Sequence, residues 1–114
     1  MITKNGRADI RTHVKDTFVY AQVGTGGDST NPNASDLDSP IGSRFSVSGT
    51  DSGETSVDWK FSVSGLTHIG HTIKEVGIFD ASSGGNMLLR VNYDAIGPLT
   101  STDDIEFIIT VEVD

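Results

Sequence analysis

The stretch Thr72-Ile73-Lys74-Glu75-Val76-Gly77-Ile78-Phe79-Asp80-Ala81-Ser82-Ser83-Gly84-Gly85-Asn86-Met87-Leu88-Leu89-Arg90-Val91 decides the fold class. Two apolar segments rich in Ile, Val, Leu and Phe flank a cluster of Ala, Ser, Gly and Asn, which reads as a β-hairpin with a connection longer than two residues. Gly77 lies inside the first segment, where glycine weakens a strand unless a bulge or a close backbone approach requires it. The expectation is a bulge at Gly77 that turns Ile78 or Phe79 onto Trp59. Glu75 and Arg90 are placed to pair across the two strands.

The segments on either side add strands to this hairpin. Thr17 to Val23 is β-branched and aromatic, and Gly24-Thr25-Gly26-Gly27 ends it. Phe45 and Val47 alternate with serines up to a turn at Thr50 to Gly53. Val57, Trp59, Phe61 and Val63 then alternate with Asp58, Lys60 and Ser62 as a half-buried strand, so the two segments are expected to form a hairpin with Trp59 as its largest core residue. Residues 65–70 link it to the opening stretch. Residues 92–103 form a connection whose Pro98 cannot occupy a central strand. In the last strand, 105–113, every odd position is apolar.

Residues 28–40 read as a polar loop anchored by Leu37, with one short helical turn over residues 33–37 after Pro32. Lys4, Arg7, Arg11 and Lys15 are half of the eight basic residues, and only Ile2, Ile10 and Val14 accompany them as apolar anchors. Residues 1–15 are therefore expected to form an extended arm or edge strand that meets an acidic neighbouring subunit, or else a solvated tail. Residues 16–114 are expected to form one domain. Six or seven strands without usable helical periodicity predict an all-β, antiparallel β-sandwich or open barrel.

A chain of 114 residues buries about two-thirds of its unfolded surface, enough for one small core. Sixteen acidic residues against eight basic ones give a net charge of −8, which opposes nucleic-acid binding. The acids are mainly Asp, a balance that suits a high-salt environment and also a chain poor in helix. Without cysteine there is no disulfide framework, so stability comes from packing or assembly. No apolar run reaches membrane-spanning length, and residues 1–6 lack the apolar core of a signal peptide.

Candidate chemistry is sparse. Gly24-Thr25-Gly26-Gly27 follows a strand as a phosphate loop would, but the Lys and hydroxyl of that motif are missing and Asp28 opposes an anion, so it reads as a structural turn. His68 and His71 could share a metal only if the intervening backbone turns, and no matching acid or cysteine accompanies them. Asp28, Asp36 and Asp38 form an oxygen-rich loop without the spacing of a calcium-binding hand, and Asp36 reads better as a turn cap. No serine sits in a nucleophile elbow with a positioned base. No catalytic residue, cofactor or metal is assigned, and the chain reads as a non-enzyme.

The order of segments resembles the small β-domain of tailed-virus virion structural proteins, including the attachment region of phage tail-collar fibre proteins. The resemblance is carried by the aromatic strand leading to Gly24-Thr25-Gly26, the polar loop Asn31-Pro32-Asn33-Ala34-Ser35-Asp36-Leu37, and Glu75-Val76-Gly77-Ile78-Phe79-Asp80. The strand Met87-Leu88-Leu89-Arg90 and the final β-branched strand complete it. It implies structural roles for Gly24, Gly26, Glu75, Gly77, Phe79, Asp80 and Arg90. It also implies a virion location, self-association as a trimer or pentamer, and contacts with other virion proteins; the acidic charge and the lack of a spanning apolar run leave no nucleic-acid or membrane partner expected. The chain ends directly after its last strand, which favours a free-standing component on the tail or capsid exterior. The alternative is a module that binds a host receptor or glycan, with Tyr20 or Tyr93 stacking on a sugar ring.

Overall fold

The apolar and polar alternation through Ser56–Ser64 buries Val57, Trp59, Phe61 and Val63 on one face of a strand, and a second apolar layer closes over that face. A computed structural model describes residues 1–27 and 31–114. The elements are α1 (Lys4–Thr17), β1 (Tyr20–Gly24), β2 (Pro40–Ser46), β3 (Gly49–Asp51), β4 (Ser56–Ser64), β5 (Ile73–Phe79), β6 (Met87–Ile96) and β7 (Asp104–Glu112). Two antiparallel sheets, β2-β1-β5-β6 and β3-β4-β7, pack face to face. Val23, Val76 and Ile78 of the first share one buried cluster with Trp59, Phe61, Phe107 and Ile109 of the second. The expected all-β antiparallel sandwich is borne out, with seven strands.

The opening stretch is the expected hairpin, β5 and β6, with a connection over residues 80–86. Its second strand continues past Val91 to Ile96. Register shifts fall between Ile73 and Glu75 and between Ile78 and Phe79, while Gly77 itself stays paired with both Gln22 and Arg90. Ile78 joins Trp59 in the core cluster. Phe79 lies instead beneath the Arg44 guanidinium, 3.6 Å from the ring centroid.

Trp59 is fully buried, and its indole N–H donates to the Phe18 carbonyl at 2.9 Å. The segment from Phe45 to Asp51 is not one strand. Residues up to Ser46 pair with β1, and the chain then crosses so that Gly49–Asp51 pairs with β4. Val47 makes the crossing, its N–H donating to the Val19 carbonyl at 2.8 Å. The expected hairpin therefore involves β3 alone. This crossing closes one side of the sandwich. On the other side β6 and β7 face each other, with the Tyr93 ring edge-on to Phe107 at 5.5 Å.

The N-terminal segment corrects the expectation of an extended arm, because Lys4–Thr17 is an α-helix. Thr3 caps it by accepting the Gly6 N–H at 3.0 Å. None of its residues is fully buried, so apolar periodicity is too thin to show. Val14 and Phe18 pack against the core from its margin. The readable signal is charge. Lys4, Arg7, Arg11 and Lys15 recur at steps of three and four, which puts them along one helical face.

Candidate functional site

The side of the β2-β1-β5-β6 sheet that faces away from the core carries Gln22, Glu75, Gly77, Phe79, Arg90 and Asn92. The described parts of the loop between β1 and β2, residues 25–27 and 31–39, fold across this face. Glu75, on the central strand β5, has no exposed surface. Its Oε2 accepts the Gly26 and Ser39 N–H groups, both at 2.8 Å, and its Oε1 accepts the Asp38 N–H at 2.9 Å. A carboxylate only accepts, so three convergent backbone donors satisfy it while clamping both ends of the loop.

Two glycines make the clamp sterically feasible. A Cβ on Gly24 would lie 2.6 Å from Glu75 Oε2 and 2.7 Å from the Ser39 carbonyl, and one on Gly26 would overlap the same carboxylate. Across the sheet, a Cβ on Gly77 would meet Leu37 Cδ2 and the Phe79 ring at 2.9 Å. Leu37 is buried over this bare strip of backbone, as the loop anchor expected from the sequence. Gly77 thus serves a close approach rather than a bulge.

Two arginines complete the arrangement. Arg90 donates to Asp38 Oδ1 at 3.1 Å and to the Asp36 carbonyl at 3.2 Å. Glu75 and Arg90 therefore do not pair with each other as expected; each holds a different part of the loop. Asn92 donates to the Gly27 carbonyl at 2.6 Å. Arg44 donates to the Ala81 and Gly84 carbonyls at 2.9 and 2.7 Å, lies 3.7 Å from Asp36 Oδ1, and covers Phe79. The 80–86 connection is closed by Asp80, which accepts the Asn86 N–H at 2.7 Å.

Gly24, Gly26, Glu75, Gly77, Phe79, Asp80 and Arg90, singled out by the resemblance, thus meet on one face. Arg44, Gln22, Asn92 and Asp38 were missed as members. A Gln within an otherwise apolar strand and an isolated Arg in β2 were the available signals. Gln22 is buried and donates to the Gly42 carbonyl at 2.9 Å.

The remaining sequence candidates are dispersed. The Gly26 N–H of the glycine-rich turn is engaged by Glu75 and the Thr25 N–H by the Ser39 carbonyl at 2.9 Å, so the turn cradles an internal carboxylate. His68 is buried with Nδ1 3.3 Å from the Ser64 carbonyl, whereas His71 is exposed. Asp36 and Asp38 face arginines, and Asp28 lies outside the described residues. In place of the helical turn, Asn31 to Ala34 form a single turn closed by the Ala34 N–H on the Asn31 carbonyl at 3.2 Å. Lys4 pairs with Glu54 at 3.1 Å, and Arg11 and Lys15 pair with Asp51 at 3.4 and 3.3 Å. Arg7 donates to the Ile2 carbonyl at 3.3 Å. Tyr20 and Tyr93 are both half-buried. Burial raises the Tyr93 hydroxyl above its ordinary pKa of 10.0.

Residues 21–111 match the family described as podophage GP4 fiber I protein gp80. The chain belongs to this gp80 fibre family. It is accordingly a virion component of a tailed phage, as the resemblance implied, and its family is one of structural fibre proteins. No curated protein shows significant similarity to it. The gp80 match runs from β1 into β7 and contains every residue of the loop clamp, whereas α1 precedes it.

Proposed function

We propose that this gp80-family chain is a non-enzymatic building block of the tail-fibre apparatus, present on the particle exterior as a symmetric oligomer of three or five copies. The observation that carries the reading is the loop clamp. The polar side chains of the family motif are engaged with the chain's own backbone, which suits a rigid scaffold better than a site that must release a ligand. Oligomerisation is argued from size: a small cysteine-free sandwich gains stability when copies bury surface against each other, and rings close such interfaces. The sandwich from β1 to β7 acts as the folding unit. The basic face of residues 1–15 remains our proposed route to a neighbouring subunit, by exchange of its ion pairs with Asp51 and Glu54 for those of another copy.

The glycan-binding alternative is not favoured. Two open grooves, about 280 and 250 Å³ in volume, are lined by Asn31, Pro32, Ala34 and residues 87–90, and by residues around Arg44 and Ser82. Neither is lined by an aromatic ring on which a sugar could stack, and the Tyr93 ring already packs on Phe107. A cryo-electron-microscopy map of the intact particle tests the proposal. Density for this fold on the tail fibre in three or five symmetric copies is expected. Density only on the capsid lattice would overturn the fibre role, and a single copy would overturn the oligomer.

A further inference from the structure

We propose that the free edge of β7 is a docking edge for an extended segment of another protein of the particle, one that alternates basic and apolar residues. Sheet edges carry unpaired backbone groups, and stable monomers blunt them with short strands, bulges, charges of the right kind or covering segments. Three of the four edges here are blunted. The three-residue β3 has α1 packed beside it. β2 begins at Pro40, carries Gly42 in left-handed backbone at φ +67°, and has a register shift against β1. β6 is irregular in two places against β5, and Asn92 ties it to the loop at Gly27.

Among the described residues β7 has no shortening, bulge, proline or covering segment, and its one such device is the charge of Asp104, Glu106 and Glu112. It pairs with β4 without a shift from Ser64↔Asp104 to Ser56↔Glu112 and contains no Pro, Gly, Lys or Arg. Every second residue of such a strand turns its N–H and C=O away from its only neighbour. The row facing solvent is Asp104, Glu106, Ile108, Thr110 and Glu112, all exposed, with Ile108 at 59%. The row facing the core is Ile105, Phe107, Ile109 and Val111, of which Ile105 and Val111 remain half-covered. An added strand would therefore place apolar residues beside Ile105 and Val111, and on its other face residues beside three carboxylates.

The charge pattern selects the occupant. In the full-length antiparallel pairing of β7 with a second copy, Asp104 would stand opposite Glu112 at both ends, and like charges directly opposite destabilise a strand pair. Nearby on β4, Asp58 adds a further acid, and Lys60 is already 3.6 Å from Glu106. A strand with Lys or Arg at alternate positions meets these carboxylates with opposite charge. This inference concerns a partner of the β7 edge and does not depend on the location or copy number proposed above.

The test uses the full chain and three nine-residue probes: a peptide alternating Lys and Val, its Glu and Val counterpart, and the Lys and Val peptide with N-methylated backbone on one edge. Affinity is titrated at low salt, and backbone amide exchange is followed residue by residue. The expected result is that the basic peptide binds at least tenfold more tightly than the acidic one and slows exchange along β7 but not β6. The exposed change Ile108→Lys should weaken it at least tenfold while leaving the melting temperature in place. Equal binding by the N-methylated peptide would reduce the effect to unspecific charge attraction and overturn the proposal. So would absence of binding, or self-association of the free protein that Ile108→Lys abolishes, which would assign the edge to a second copy.

Discussion

Glu75 concentrates the energetics of the outer face in one side chain. In Glu75→Gln one carboxylate oxygen becomes an amino group that points at a backbone N–H, whichever way the amide is turned. A buried donor left without an acceptor costs about 1–3 kcal/mol, so the denaturation midpoint should fall while the denaturant dependence stays unchanged. Gly77→Val should cost a similar amount, about 1–3 kcal/mol from overpacking, because Leu37 and Phe79 occupy the space a side chain needs. Thermal stability unchanged in Gly77→Val would contradict the close approach. Tyr93 predicts an alkaline limit. Its hydroxyl is raised by burial, so the neutral form favours the folded state. That contribution is complete below the ordinary value of 10.0 and is lost as pH rises through the folded value. Tyr93→Phe should remove this loss, seen as a smaller fall in melting temperature above pH 10. Glu75 and Gly77 were visible in the sequence as a motif, but their purpose was not. The clamp bonds Glu75 to Gly26, 49 positions away, and no local pattern reveals a partner at that separation.

Among the elements, β4 and β7 were legible because period-two alternation survives wherever one strand face is buried, and the β5–β6 hairpin because two apolar segments flank a cluster of turn residues, although β5 itself is buried on both faces. The β2–β3 segment was misread because alternation continues through Ser46, Val47 and Ser48 while the chain changes sheets, and hydrophobic pattern carries no record of which sheet a residue joins. Helix α1 was misread for the opposite reason. It buries no residue fully, so its periodicity lies in lysines and arginines that contact Asp51, Glu54 and the Gly53 carbonyl. Asp51→Ala removes the acceptor shared by Arg11 and Lys15. The helical signal at 222 nm should fall and become less sensitive to salt, while global stability changes by about 1 kcal/mol or less, the usual scale for exposed ion pairs. A loss of several kcal/mol would mean that the helix belongs to the core rather than resting on it.

The whole molecule carries a net charge of −8, and self-repulsion of that size opposes the compact state. Raising the salt concentration shortens the range of the repulsion, so the melting temperature should rise between low and about 1 M salt even as the α1 ion pairs weaken. The gp80 family match covers the sandwich, and within it the motif residues bind residues 25–27, residues 36–39 and the 80–86 connection to one sheet face. On the function we propose, that arrangement joins the sheet and the described parts of these loops into one scaffold. Hydrogen exchange of the Gly26, Asp38 and Ser39 amides, compared between the wild-type chain and Glu75→Gln, tests this most directly. These three amides should exchange slowly in the wild type and at least tenfold faster in Glu75→Gln, while the β4–β7 ladder keeps its protection. Exchange in the wild type as fast as that of an unprotected loop would contradict the clamp, and with it the reading of the family motif as scaffold.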